Sequence, residues 1–220
     1  MKKIIALVLC LVMSSYVLAG CSDNNKPFEE KSYTPDIQIN EINLDVRDRE
    51  IEVSLSEDEQ VHIQYFENRK EHYDVSVSDE NVLTMTSTSD KEWTDYIGRK
   101  SSAETRKILL QIPNIFLESL TLSTTNEDIT LSALAVIGRI NIFSNGGDIG
   151  FEKLNVENAV NLTVKNGDIF GTIVGNYEDF AIQTEIKKGE SNLPDNKDGE
   201  EKTLTVSGNN GDVSIAFVNE

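Results

Sequence analysis

Ile140-Asn-Ile-Phe-Ser-Asn-Gly-Gly-Asp-Ile-Gly-Phe151 is one copy of a unit that recurs at Leu120 to Leu131, Val160 to Gly171 and Leu204 to Ile215. Its turn reads Thr125-Asn126-Glu127-Asp128, then Asn145-Gly146-Gly147-Asp148, then Lys165-Asn166-Gly167-Asp168, and last Asn209-Asn210-Gly211-Asp212. Successive aspartates are 20 residues apart, twice, and Asp212 follows Asp168 by 44. The longer gap leaves room for two coils of about 22 residues. The first of these would be a degenerate copy with Lys188-Gly189-Glu190 at its turn and Ile182 and Leu193 around it.

Apolar residues keep register with the turn. Leu120, Ile140, Val160 and Leu204 stand eight residues before the aspartates, and Leu122, Ile142, Leu162 and Val206 six before. Ile129, Ile149, Ile169 and Val213 come one residue after, and Leu131, Phe151, Gly171 and Ile215 three after, so only Gly171 interrupts a column. Period-two apolar positions on both sides of a Gly-containing turn describe two short strands meeting at a bend. A hairpin meander would reverse at each Asn-Gly. Equal spacing favours the alternative, a coil that returns one rung higher and buries each column against the next copy. The predicted fold is all-β: a parallel β-helix-like solenoid with coils of about 20–22 residues.

Outward from the repeats, Ile37-Gln38-Ile39, Ile51 to Leu55, Val61 to Tyr65, Tyr73 to Val77 and Ile108 to Ile112 read as strands of an irregular N-terminal part. Asp90 to Lys107 reads as an insertion with one short helix, because Trp93, Tyr96 and Ile97 sit at helix-like spacing among charges.

The Asn-Gly-Asp-Ile turns, closing on Leu204-Thr-Val-Ser-Gly-Asn-Asn-Gly-Asp-Val-Ser-Ile215, resemble the bacterial putative-adhesin family of β-solenoid domains over roughly residues 36 to 220. Ile186-Lys-Lys-Gly-Glu-Ser-Asn-Leu-Pro194 is similar to that family's late segment. The resemblance implies an exported or membrane-attached domain exposed at the surface, and it brings no catalytic residues with it. Glu127 stands where the pattern has its turn glycine, which argues against a left-handed backbone there.

At the other end of the chain, Lys2 and Lys3 precede an apolar run from Ile4 to Val17 and then Leu18-Ala19-Gly20-Cys21. Charge, apolar stretch and small-residue cleavage site follow in secretory order, and the stretch is short for a membrane span. Leu-Ala-Gly-Cys resembles the lipobox of bacterial lipoproteins, which implies cleavage before Cys21 and lipid on its thiol. An ordinary signal peptide cut after Gly20 would leave that thiol free. The expected organisation is a leader at 1–20, a flexible tether at 21–35 and one domain at 36–220. Cys10 lies in the leader, so Cys21 is the mature chain's one thiol and no internal disulfide forms. The expected location is extracytoplasmic, on the bacterial cell membrane.

Net charge is −18, and about −20 once Lys2 and Lys3 are removed. Such a surface repels phosphate backbones, so nucleic acid is excluded as a partner. His62 and His72 are ten apart without zinc-protease spacing, and 38 acidic residues make any one carboxylate pair uninformative. No catalytic residue, metal or cofactor is expected. Asp128, Asp148, Asp168 and Asp212, with Gly147, Gly167 and Gly211, are read as structural turn residues. Each aspartate accepts turn amides in that reading, and a calcium ion between rungs is the alternative. Tyr65, Phe66, Tyr73, Trp93 and Tyr96 are expected to cover the N-terminal end of the core rather than stack on sugars, and Lys187-Lys188 reads as a solvated turn. The expected function is non-catalytic binding or scaffolding at the envelope, with a surface polymer or protein as ligand. An envelope carbohydrate-active enzyme and a sensory lipoprotein presenting its solenoid to a membrane partner are the alternatives.

Overall fold

The computed structural model describes residues 27–89, 101–114, 117–199 and 201–219. Each repeat is a pair of strands joined by the Asp turn: β8 (Ser119–Thr124) with β9 (Ile129–Leu131), β11 (Arg139–Ser144) with β12 (Ile149–Val156), β13 (Ala159–Asn166) with β14 (Ile169–Val174), and β17 (Lys202–Asn210) with β18 (Val213–Val218). The first strands of the pairs hydrogen-bond in parallel into one nine-stranded sheet, called sheet B below, and the second strands into another, sheet A. Leu120, Ile140, Val160 and Leu204 lie in register on sheet B. Together with Ile129, Ile149, Ile169 and Val213 of sheet A they are buried in a single core between the sheets. The solenoid is thus built from the apolar columns, with ladder hydrogen bonds running from coil to coil.

The same offsets identify one more rung, which lacks the Asn-Gly-Asp turn. β2 (Glu41–Asp45) and β3 (Glu50–Leu55) place Ile42, Leu44, Ile51 and Val53 in the four columns, around Glu50 instead of an aspartate. Here the turn is Val46 to Arg49, with Asp48 at φ 53°. β6 (Val82–Ser89) and β7 (Lys107–Ile112) form a further rung. A 3-10 turn at Glu104–Arg106 leads into β7, whereas the helix expected around Trp93, Tyr96 and Ile97 lies outside the described residues.

The coils do not climb in chain order. β2 pairs with both β6 and β8, so the first rung lies inside the second. At the other end β17 sits between β13 and β15 (Phe180–Lys188). The degenerate copy around Lys188-Gly189-Glu190 is therefore the outermost coil, and the final copy slips in beneath it. Thr184 occupies a column position filled by leucine, isoleucine or valine in the repeats with aspartate turns, and its hydroxyl has no partner among the described residues. A copy with a polar core position is better tolerated at the end of the stack, where burial is less complete.

Both ends are covered, as an open ladder edge requires. β1 (Glu29–Tyr33) pairs antiparallel with β4 (His62–Glu67), which pairs with β7, while β5 (Glu71–Val77) pairs with β6. Glu29–Tyr33, which falls within the tether expected over 21–35, is a strand. Its alternating pattern protects one edge of β4 although it contributes little to the core. Ile37-Gln38-Ile39 is not a strand; Ile39 is buried and Ile37 is 51% exposed. At the far end, β16 (Asn196–Lys197) pairs with β15. The Asn192 amide imitates a strand there: its Nδ2 donates to the Ile215 carbonyl at 2.7 Å and its Oδ1 accepts from the Ile215 amide at 3.0 Å. The Lys197 ammonium donates to the carbonyls of Tyr177, Phe180 and Asp198.

Close approach explains the turn glycines. A Cβ on Gly147 would stand 2.2 Å from the Glu127 carbonyl oxygen, one on Gly167 2.5 Å from that of Gly147, and one on Gly211 1.9 Å from that of Gly167. Glu127 begins this column and is outside the left-handed region, and its carboxylate pairs with Arg106. Gly171 interrupts its apolar column because the Phe151 ring of the adjacent rung fills the space a side chain would need, 2.3 Å from the position of a Cβ. Gly211→Ala, with φ 133° and a carbonyl in the way, should lower the thermal midpoint by roughly 5–10 °C. Gly146→Ala, whose Cβ meets the Asn126 side chain at 3.2 Å and the Thr125 carbonyl oxygen no closer than 3.4 Å, should move it by less than about 3 °C. Equal shifts by differential scanning fluorimetry would contradict the close-approach account.

Candidate functional site

The aspartates form a ladder along one edge. Asp128 Oδ1 accepts the Asp148 amide, Asp148 Oδ1 the Asp168 amide, Asp168 Oδ1 the Asp212 amide and Asp212 Oδ1 the Glu190 amide, each at 2.8 Å. One carboxylate oxygen is thereby engaged in tying each turn to the next. Each bond satisfies an amide that the bend turns away from the sheet. Among the described residues no three His, Cys, Asp or Glu side chains converge as metal ligands.

The outward face of sheet B carries a second column that the repeat offsets predict but that apolar patterning does not reveal. Seven residues before each turn acid stand Asn43, Thr121, Asn141, Asn161, Thr205 and Gln183, in register on neighbouring strands. The flanking strands continue it with Thr84 and Ser76 at one end and Asn196 at the other. No position in this nine-strand row is charged or apolar. Asn141 Nδ2 donates to Thr121 Oγ1 at 3.2 Å and Asn161 Nδ2 to Asn141 Oδ1 at 2.8 Å, so the central amides are held in fixed orientations. A groove of about 650 Å³ runs beside them, lined by Asn43, Thr121, Asn141 and Asn158 together with the charged Glu41, Glu118 and Arg139.

On sheet A the outward column is mixed: Gln64, Leu109, Glu52, Thr130, Gly150 and Phe170. The Phe170 ring lies over Gly150, whose Cβ would fall 2.8 Å from it, and remains 48% exposed. This face borders a groove of about 630 Å³.

A third feature is the buried guanidinium of Arg49, 3% exposed, at the N-terminal end. Its Nε donates to the Tyr73 hydroxyl at 2.5 Å, Nη2 to Glu71 at 2.9 Å and Nη1 to the Asp48 carbonyl at 3.0 Å. Tyr73 and Phe28 rings stand 5.9 Å from the guanidinium carbon. Burial, foremost, pushes the Tyr73 phenol above its ordinary value of 10.0, with Arg49 pulling it back. These bonds satisfy a charge that is costly to desolvate, and they fasten β5 to the first turn.

His62 and His72 are on different sheets. His62 lies between Thr34 and Asp58, and His72 lines the cavity beside Arg49. Tyr65 and Tyr73 meet edge to face at 5.2 Å and pack on the N-terminal end of the core. Lys187 and Lys188 are exposed. Trp93, Tyr96 and Cys21 lie outside the described residues, and no described helix is long and apolar enough to cross a membrane.

Comparison with known proteins bears on this fold. The Toastrack DUF4097 family model matches residues 39–217. Among solved structures the chain is similar to a "putative cell adhesion protein" from Clostridium sporogenes ATCC 15579, at 13% identity and a TM-score of 0.58, covering 87% of this chain and 100% of that one. It also matches a "putative adhesin" from Bacteroides fragilis NCTC 9343, at 15% identity and a TM-score of 0.35, covering 86% and 97%. A "putative lipid binding protein" from Parabacteroides distasonis ATCC 8503 matches at 13% identity and a TM-score of 0.27, covering 87% and 95%. None of the curated proteins matches the chain.

Two outcomes test the ladder and the arginine site. Asp168→Asn keeps an oxygen for the Asp212 amide and should leave the thermal midpoint within about 2 °C, whereas Asp168→Ala should lower it by roughly 3–6 °C. Loss of stability in both alike would point to the charge instead. Because the folded-state value of Tyr73 is raised, its contribution is present below pH 10 and lost as pH rises through that value. In denaturant titrations above pH 10.0 the parent should therefore lose more stability with rising pH than Tyr73→Phe. An unchanged slope would contradict the burial of this phenol.

Proposed function

From the premise that the chain belongs to the Toastrack DUF4097 family, we propose that it is a lipid-anchored, non-catalytic binding module of the bacterial cell envelope. The observation that carries this reading is the nine-strand row of uncharged amides and hydroxyls on sheet B. A chain of net charge −18 keeps charge out of one continuous stripe on a rigid scaffold. Side chains standing at fixed intervals on stacked strands form a surface for contact rather than a cleft for chemistry.

The anchor supplies the location. The lipobox-like Leu18-Ala19-Gly20-Cys21 supports a diacylglyceryl thioether on Cys21, whose two chains give stable membrane attachment. With β1 beginning at Glu29, the link from Cys21 spans at most about 28 Å. The capped N-terminal end then faces the membrane side, while the outward sheet faces lie along the flanks of the stack. A surface polymer or an envelope protein is the partner class this arrangement suits.

Cys21→Ser expressed in a bacterial host should lose all incorporation of an alkyne-tagged palmitate and move from the membrane pellet to the soluble fraction, whereas the parent keeps both. Equal labelling of the two would remove the anchor. The Cys21→Ser protein, purified, should bind isolated envelope fragments saturably; linear, non-saturating retention would remove the binding role.

A further inference from the structure

We infer that the outward face of sheet B is a binding site for a neutral polysaccharide, a polyhydroxylated chain without carboxylate, sulfate or amino groups, laid across the strands along the solenoid axis. The inference rests on the binding role proposed above and names its ligand class.

Hydrogen-bond accounting supports the choice of partner. Asn141 uses one amide N–H on Thr121 and one carbonyl lone pair on Asn161, which leaves it a second N–H and a second lone pair. Asn161 keeps an N–H and its carbonyl, and Thr121 keeps its hydroxyl proton. The free capacity is an alternation of donors and acceptors whose directions are already fixed. Sugar hydroxyls, each both donor and acceptor, complement such a row, and pre-ordered side chains lose little entropy on contact.

The uncharged row favours a neutral partner over a charged one. On the central strands β8, β11, β13 and β17, the eight outward positions flanking the row carry one formal charge, Arg139, the others being Ser, Thr, Ala159 and Phe143. A polyanion would meet Arg139 and Lys165 against the field of an acidic chain, and a polycation would find no carboxylate in the row itself, the nearest ones being Glu41 and Glu118 in the groove wall. Phe143, half-buried with Lys165 Nζ at 5.7 Å from its ring centre, adds an apolar surface beside the amides for a sugar face. Nine strands spaced about 4.8 Å apart make the row roughly 38 Å long, which is the shape of a polymer rather than of a small ligand. The groove beside Asn141 and Asn158 gives the chain a wall to lie against.

The test uses the Cys21→Ser protein in affinity electrophoresis and calorimetry against hydroxyethyl cellulose, mannan and dextran, with polygalacturonate and polylysine as charged probes. At least one neutral polymer should bind with an affinity that changes less than about threefold between low and moderate salt, unlike an ion-driven complex. Asn141→Ala with Asn161→Ala should weaken it at least about tenfold. Thr205→Arg, which places a bulky charge in the row, should do the same, while Phe170→Ser on sheet A should leave it unchanged. Circular dichroism and thermal midpoints confirm that each variant is folded. Binding only to the charged probes, steep salt dependence, no binding to any neutral polymer, or a folded row variant that binds as the parent does would each overturn the inference. Saturable envelope binding that survives the row variants would leave the binding role standing and remove this face from it.

Discussion

Successive turns approach within hydrogen-bonding distance, and the rest of the stack depends on that spacing. A parallel ladder fixes the rise from coil to coil at about 4.8 Å, and the carbonyl of one turn then occupies the place where a side chain at the next would begin. Gly147, Gly167, Gly211 and Gly189 answer this constraint, and the aspartates use the same proximity to accept the next turn's amide. The repulsion expected of stacked acids is offset by directed bonds to backbone donors. With the turns locked, the four apolar columns superpose, and so do the outward residues that no core packing requires.

Interleaving at the two ends follows from the weakness of an open ladder. In sheet B, climbing in chain order would leave the last coil as a free edge. Here the outermost positions go to segments that can carry other duties: β5 is fastened by Arg49 and Glu71, and β15 is closed by β16 and Lys197. The repeats with aspartate turns occupy the interior of sheet B, while in sheet A β18 is the last strand and Ser191 and Asn192 lie against it. Buried Arg49 is the polar counterpart at the N-terminal end, where its bonds define which strand docks on the first turn.

Much of this was legible in the chain because solenoid columns are periodic. Leu120, Ile140, Val160 and Leu204, and their partners after the turn, could be assigned from spacing alone. The β2–β3 rung carries the same columns around Glu50, yet Val46-Arg47-Asp48-Arg49 has no Asn-Gly signal, so a reading keyed to the turn passes over it. Rung order was not legible, since a gap of 44 residues fits a coil inserted below its predecessor as well as one added above. The strand at Glu29–Tyr33 was hidden by a composition dominated by charge, because an edge strand stabilised by backbone pairing needs few apolar residues. The polar row was present at minus seven from each turn acid. Attention to apolar positions conceals it, as Asn and Thr at outward positions otherwise read as solvated surface.

Order in the stack is the property on which both the turn ladder and the continuity of the outward row depend, and it can be measured directly in a chain whose one mature cysteine is replaced by serine. Thr163 and Ser207 are in register on adjacent strands, whereas Thr163 and Glu185 are separated by β17. Their Cα atoms should therefore be about 5 Å and about 10 Å apart, respectively inside and beyond disulfide reach. Cysteines at 163 and 207 should oxidise to a disulfide in the folded protein, while cysteines at 163 and 185 should remain reduced under the same conditions. The reverse result, with 163 joined to 185, would mean that the coils climb in chain order and would contradict the account.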